Sequence, residues 1–320
     1  MNPRPLIRLR PSPRSRSLLQ PSTYASFHTT THRSQPRQPP SSSSTRTFPT
    51  VEECPAPTCE CSPAPDLEID RKSKLAGVFV PYVEQVLPYH NITFLASSFP
   101  SSPGPNPSAY LLPSFTYIPS IAPSPTSLTH LSKSLLLPET LHPIHASLPP
   151  ESRAHLTRDP SLGGTVPSVP VSDVMILICG HGSRDLRCGV MGPLLREEFR
   201  RVLSREDGIS LVEDDHPPSE PAEAAKGDSA RMTARVGLIS HIGGHKFAGN
   251  VIVYVPPGAT IEDEVVGSRR KHPLAGCGVW YGRVGPENVE GIVRETVKGG
   301  NVILEHFRGG LDAERRILRV

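Results

Sequence analysis

The chain has 320 residues, which is enough for two modest domains, but its proline and glycine are unevenly placed. Of 38 Pro, 30 lie in residues 1–170, and of 25 Gly, 21 lie in residues 171–320. This division predicts an extended, Pro-punctuated N-terminal half and a compact C-terminal domain whose turns use glycine. The longest apolar run, Val174–Cys179, is far shorter than the roughly 18 residues of a membrane helix, so a membrane span is not predicted.

The net charge of +3 comes entirely from the N-terminal leader. Residues 1–50 contain eight Arg, no Lys and no acid, whereas the other 270 residues contain 26 basic and 31 acidic side chains, a balance of −5. The folded body is therefore slightly acidic, and nucleic-acid binding is not predicted. An Arg-rich, Ser-rich, acid-free leader is typical of a mitochondrial transit peptide, although a disordered basic tail has the same composition.

Residues 51–170 are predicted to form a Pro-rich N-terminal module with little regular structure. It contains Cys54, Cys59 and Cys61, which offer a second metal site or a disulfide, or simply free thiols on a flexible arm. The predicted elements are an amphipathic segment at 78–87, a short strand within 110–118, a helix and a half within 127–148, and loop as far as residue 170.

Residues 171–320 have the pattern of an α/β domain. The continuous apolar run Val174–Cys179 suits a strand buried on both faces. Strand, helix, paired strands and a closing helix is the order of a thioredoxin-like α/β sandwich. The further predicted elements are a helix at 193–203, an acidic surface loop at 204–232, strands at 235–240, 250–255 and 279–284, a helix at 286–297, and a last strand or helix at 302–307.

Two pairs of metal-ligating side chains follow predicted strands of this domain. The first pair is Cys179 and Cys188, and the second is His241 and His245. Glycines accompany both pairs and would let the backbone wrap closely around an inorganic centre. The flanking glycines are residues 180, 182, 189, 243 and 244.

The spacing of these ligands favours a binuclear centre over a single ion. Structural zinc sites place cysteines two to four residues apart, because four donors must converge on one metal. Here eight residues separate Cys179 from Cys188. We therefore predict a 2Fe–2S cluster with the cysteines on one iron and His241 and His245 on the other. Imidazole ligands raise the reduction potential, so one-electron transfer or thiol redox maintenance is the expected activity.

Two other interpretations of the same residues stay open. Cys179 and Cys188 could form the reversible disulfide of a cluster-free thioredoxin-like thiol oxidoreductase, or the four side chains could hold a structural zinc ion in an interaction module. No catalytic acid, base or nucleophile stands out beyond these residues, which indicates a redox carrier rather than an enzyme. His181, inside the cysteine loop, is interpreted as a solvated loop histidine.

Three segments resemble the sucrase/ferredoxin-like family. They are Cys179-Gly-His-Gly-Ser-Arg-Asp-Leu-Arg-Cys188-Gly, His241-Ile-Gly-Gly-His245-Lys-Phe-Ala-Gly-Asn250 and Trp280-Tyr-Gly-Arg283-Val, with weaker similarity at 54–61, 69–71 and 136–143. The resemblance implies a thioredoxin-like ferredoxin in which Cys179, Cys188, His241 and His245 hold a 2Fe–2S cluster. It also implies a redox protein as partner and a mitochondrial location, in the matrix or the intermembrane space.

The N-terminal module departs from the family pattern at one place. Members of the family carry a segment with Cys, Gly and Trp soon after the position of residues 83–87, whereas this chain continues directly with Pro88-Tyr-His-Asn. The module is therefore predicted to be shortened there, with the cluster domain unaffected.

Overall fold

The computed structural model describes most of the chain after residue 47. The described residues are 48–78, 85–86, 90–91, 93–141, 143–212, 218, 231–262 and 268–318. Most of the predicted leader, most of the amphipathic segment at 78–87 and much of the acidic loop at 204–232 lie outside them. The described residues all fall within one unit, Thr45–Val320.

A mixed six-stranded sheet stands at the centre of the described chain, in the order β15-β13-β10-β7-β9-β8. The strands, in chain order, are β1 Thr50–Val51, β2 Gln85–Val86, β3 His90–Asn91, β4 Ala109–Leu111, β5 Thr116–Ile118, β6 Val169–Pro170, β7 Val174–Cys179, β8 Ile209–Leu211, β9 Met232–Ile239, β10 Val251–Tyr254, β11 Thr260–Glu262, β12 Arg269–Lys271, β13 Gly278–Tyr281, β14 Val302–Ile303 and β15 Phe307–Leu311.

Strand β7 lies in the middle of this sheet and explains its apolar sequence. It pairs in parallel with β9 and antiparallel with β10, and all six of its residues are buried. A strand covered on both faces is apolar throughout rather than alternating. The mixed α/β fold with a multistranded sheet confirms the predicted fold class.

The long helix Leu186–Leu203, α3, packs on β7 and β9 and against the helix Pro286–Ile292, α4. The α-helices are α1 Pro125–Leu131, α2 Pro150–His155, α3 Leu186–Leu203 and α4 Pro286–Ile292. Helices α1 and α4 continue as π-helical turns at Ser132–Leu136 and Val293–Lys298, and 3-10 turns lie at Pro143–His145, Pro160–Leu162, His245–Phe247 and Leu304–His306. In the part of the chain that the structure describes, no helix is long and apolar enough to cross a membrane.

The predicted start of α3 at Pro193 was wrong. The helix begins at Leu186, because the Asp185 side chain accepts a hydrogen bond from the Arg187 N–H and caps the first turn. Pro193 lies inside the helix. The glycines in this stretch, which suggested a loop, allow α3 to pack closely on the loop after β7. A Cβ on Gly192 would lie only 2.6 Å from the Gly180 Cα.

Three other predicted boundaries were also wrong. The loop at 204–232 contains the edge strand β8, whose apolar Ile209 is buried and which pairs in parallel with β9. The segment 302–307 does not form one element, because a strand and a 3-10 turn precede the edge strand β15. The supposed loop before residue 170 includes α2 and β6.

Residues of the N-terminal module pack on the C-terminal domain. Strand β1 pairs in parallel with β14, and Phe115 and Tyr117 belong to the same hydrophobic core as the central strands. A small separate cluster joins Ile118 to helix α1 and the turn that follows it. The module thus draws much of its stability from this packing, while the domain division at 170/171 stays a prediction.

Candidate metal centre

The two cysteines of the predicted site lie together at one end of the sheet. Cys179 is the last residue of β7, and Cys188 lies in the first turn of α3. Both are free thiols, and both are buried, with 1% and 0% of their surface exposed. The strand and the helix, which are rigid elements, therefore fix both sulfur atoms.

Hydrogen-bond donors converge on the sulfur of Cys179. Its pKa is lowered to about 5, chiefly because the Cys188 thiol donates a hydrogen bond to it. Burial opposes this shift, whereas the backbone N–H groups of His181 and Ile242 and the His241 side chain add to it. The pKa of Cys188 is raised by the same hydrogen bond and by burial. Cys179 is thus preorganised as a thiolate, the form that binds metals.

The predicted histidines stand beside this pair, in the loop after β9. The rings of His241 and His245 are 5.4 Å apart, centroid to centroid, and the ring of His181 lies 6.4 Å from that of His241. The Nδ1 atoms of all three rings are buried and have no hydrogen-bond partner among the described residues. Buried polar atoms without partners are uncommon, and nitrogen lone pairs held in this way are suited to a metal.

Asp185 connects the cysteine loop to the histidine loop. Besides capping α3, its carboxylate accepts two hydrogen bonds from the Arg187 guanidinium, both 2.9 Å long, and lies 4.0 Å from His245 Nε2. The Arg187 hydrogen bonds lower the Asp185 pKa to about 2, so the group is ionised. A carboxylate on one ring nitrogen is the usual way to orient a histidine whose other nitrogen faces a metal.

Arg308 and Asn250 hold the loop that carries His241 and His245 through a chain of hydrogen bonds. The buried guanidinium of Arg308 donates to Asn250 Oδ1 at 2.6 Å, and Asn250 Nδ2 donates to the Gly244 carbonyl at 3.0 Å. Gly243 and Gly244 both have positive φ, of 80° and 69°. A Cβ on Gly244 would overlap the guanidinium, whereas one on Gly243 would meet nothing within 4 Å. These contacts fix the backbone from which His245 projects.

Two glycine substitutions test this support. Gly243→Ala adds only the cost of positive φ and should lower the free energy of unfolding by about 1 kcal/mol. Gly244→Ala adds the same cost and also displaces Arg308, which should cost about 1–3 kcal/mol more. Chemical unfolding of the cluster-free protein measures both values. Equal destabilisation by the two substitutions would show that Arg308 does not hold the loop.

The four proposed ligands stand as two pairs, one at the end of β7 and the start of α3 and the other in the loop after β9. Among the described residues, no three His, Cys, Asp or Glu side chains are grouped closely enough to hold a single metal ion. A structural zinc site needs four donors that converge on one ion. In a binuclear cluster two donors serve each iron, and the pairs Cys179/Cys188 and His241/His245 need not converge on one point.

Outside this centre, the other cysteines have separate surroundings. Cys54 packs on α4, and burial is the main cause that raises its pKa to about 11. Cys59 is exposed, with its sulfur 3.4 Å from Glu290 Oε2 and 3.7 Å from Arg201 Nη1. Cys277 is buried in the hydrophobic core. Among the described residues, none of these thiols belongs to a group of three or more side chains that could hold a metal ion.

Some residues of the centre were missed or misplaced by the sequence analysis. His181 was interpreted as a solvated loop residue, yet its ring stands beside His241 and its Nδ1 is buried. The only signal was its position two residues after Cys179, where a buried strand turns into the loop. Asp185 could have been found as a helix cap three residues before Cys188, but Arg308 lies too far along the chain for any motif to indicate it.

A model of the sucrase/ferredoxin-like family matches residues 61–309, which is most of the chain. The chain belongs to the sucrase/ferredoxin-like family. No solved structure matches it.

Curated relatives with the name altered inheritance of mitochondria protein 32 match less than half of this chain, over 139 or 140 residues. Those of Meyerozyma guilliermondii and Clavispora lusitaniae are each 40% identical, over 139 and 140 residues, covering 43% and 44% of this chain and 35% and 36% of the relatives. That of Candida glabrata is 34% identical over 140 residues, covering 44% of this chain and 33% of the relative. The matches thus span about a third of the relatives' length. The names support a mitochondrial location, in agreement with the Arg-rich leader.

Proposed function

We propose that this chain is a mitochondrial redox protein whose Cys179, Cys188, His241 and His245 hold one 2Fe–2S cluster. One observation supports the proposal most strongly. Two buried cysteine sulfurs lie close to buried imidazole Nδ1 atoms that have no hydrogen-bond partner among the described residues. When bound, such a cluster supplies transfer of one electron at a time. The partner is another redox protein.

Each residue around the centre has a defined part in this function. The backbone N–H groups of His181 and Ile242 donate to the Cys179 sulfur, which withdraws negative charge and favours the reduced state. The Asp185 carboxylate lies 4.0 Å from His245 Nε2, and the Nδ1 of that ring, which has no partner among the described residues, is the proposed ligand atom. Burial of both cysteines excludes water from the sulfurs.

A cluster-free thiol oxidoreductase has one observation in its favour, the lowered pKa of Cys179. Thiol exchange, however, requires that the disulfide of a substrate reach the attacking sulfur. With 1% and 0% of their surfaces exposed, Cys179 and Cys188 do not offer that access. The same thiolate is equally suited to bind iron, so the cluster function explains the observation without the difficulty.

Iron and sulfide analysis separates the candidate functions. Protein purified without oxygen should be coloured and should contain about two iron and two acid-labile sulfide ions per chain. Colourless protein without labile sulfide would overturn the cluster function. Bound zinc would then support the interaction module, and a titratable Cys179–Cys188 disulfide would support the oxidoreductase.

The leader gives a separate prediction about location. Deleting residues 2–47 should abolish import into isolated mitochondria, because the Arg side chains drawn inward by the membrane potential are lost. The deletion stops before Phe48, which packs on the core, and before β1, which pairs with β14. Attaching residues 1–47 to a passenger protein should confer import. Undiminished import of the deletion variant would contradict the leader interpretation.

A further inference from the structure

An exposed apolar pair lies next to the candidate metal centre. Leu186, two residues before Cys188, has 74% of its surface exposed, and Val190 follows it one helical turn later. Residues at i and i+4 share one face of a helix, so the two side chains form one small apolar patch. Nearby, the His245 side chain is 42% exposed, which brings the edge of the centre to the molecular surface. Protein interfaces combine an apolar centre with a polar, solvent-accessible rim.

A run of basic residues forms part of the rim of this patch. Arg71, Lys72 and Lys74 are exposed and form no ion pair with a described residue. Arg71 and Lys72 line an open cleft of about 380 Å³ together with Arg187, the neighbour of Leu186, and with Glu68, Ile69 and Asp70. Arg187 also donates to the Glu68 carbonyl at 3.0 Å, which ties the basic segment to the start of α3.

The basic segment is held firmly in this place. The Asp70 N–H donates to the Lys246 carbonyl at 2.8 Å, and Arg283 donates to the Asp70 and Ser73 carbonyls at 2.5 and 2.6 Å. Leu75 is buried in the next turn. These contacts hold the backbone of the segment, while the side chains of residues 71, 72 and 74 are exposed.

The acids near the segment do not cancel its charge. Asp70 pairs with Lys246 at 3.0 Å, and Asp185 pairs with Arg187 at 2.9 Å. The remaining exposed acids of the segment are Asp66 and Glu68, against the four exposed cations Arg71, Lys72, Lys74 and, in the cysteine loop, Arg184. The balance of the chain beyond residue 50 is −5, so a positive excess here is a local feature of this face.

We propose that Leu186, Val190 and the basic residues Arg71, Lys72, Lys74 and Arg184 form the docking surface for an electron-transfer protein with an acidic surface around its own redox centre. This proposal rests on the proposed function, because it assigns the partner of the same metal centre. Charge complementarity steers such a partner to the surface, and the apolar pair excludes water where the two centres approach. One electron passes between them, and no bond is formed or broken.

The test measures the rate at which reduced flavodoxin, an acidic donor, reduces the oxidised cluster in a stopped-flow instrument. One electron leaves the flavin hydroquinone, which becomes the semiquinone, and enters the cluster. The charge reversal Arg71→Glu with Lys72→Glu should slow this reaction about tenfold at low salt, and the difference should vanish at high salt. The control, Arg205→Glu with Lys271→Glu, makes the same charge change at exposed positions outside this surface and should leave the rate unchanged.

A small cationic reductant should show the opposite effect of the same charge reversal. Hexaammineruthenium(II) should reduce the Arg71→Glu/Lys72→Glu variant faster than the unaltered protein, because the repelling charge is gone. Equal rates for the two charge-reversed variants with both donors would overturn the docking surface. Failure of dithionite to generate a reduced cluster in the unaltered protein would instead overturn the proposed function, and the electron partner with it.

Discussion

Changing Cys179 to Ser is expected to reduce the iron and labile sulfide of the protein at least about tenfold, because a hydroxyl does not replace a thiolate as a cluster ligand. Cys188→Ser should have the same effect, since Cys179 ends β7 and Cys188 lies beside it in the first turn of α3. Iron and sulfide determination after anaerobic purification measures the loss. Circular dichroism of each variant shows whether the fold is retained.

Cys61→Ser is the matched control for these variants. Cys61 is also a free thiol of this chain, but it lies outside the candidate centre. It should leave iron and sulfide content unchanged. If Cys61→Ser removed the iron while Cys179→Ser kept it, the cluster would belong to the N-terminal cysteines, and the proposed ligands would be wrong.

Changing His245 to Cys is expected to lower the reduction potential by at least about 100 mV. Centres with two histidine ligands have potentials of about −150 to +300 mV, against about −400 mV for all-cysteine plant-type clusters. A thiolate adds negative charge to the centre and disfavours the extra electron. His245 is the better choice for the exchange, because its side chain is partly exposed and a shorter residue there leaves less of a buried cavity. Redox titration followed by absorbance measures the shift.

His181→Asn is the control for the histidine exchange. The His181 ring also lies in the centre, and its Nδ1 is also buried without a partner among the described residues, yet it is not one of the four proposed ligands. Its replacement should move the potential far less than His245→Cys. If His181→Asn removed the cluster and His245→Cys left the potential in place, His181 would be the ligand instead.

The central strand and the proximity of the two proposed ligand pairs could be predicted, because each depends on local sequence. The run at β7 is apolar on every residue, and only a strand covered on both faces needs that pattern. The paired ligands stand close to the ends of β7 and β9, which are neighbouring parallel strands. Parallel strands end at the same edge of a sheet, so the two ligand loops necessarily lie together.

The start of α3 and the support of the histidine loop could not be predicted, because tertiary contacts decide them. Gly189 and Gly192 weaken a helix by propensity, but here their missing side chains allow contact with Gly182 and Gly180. Likewise, Arg308 reaches Asn250 across 58 positions of sequence. Neither contact produces a periodic pattern or a motif along the chain.

The most direct test of the central claim is pulsed EPR of the dithionite-reduced protein labelled with ¹⁵N-histidine. Nitrogen ligands to a paramagnetic cluster give hyperfine couplings that solvent-exposed or hydrogen-bonded histidines do not match. We predict two strongly coupled histidine nitrogens, with one of them lost in His245→Cys and both kept in His181→Asn. A reduced cluster without strongly coupled histidine nitrogen would contradict ligation by His241 and His245.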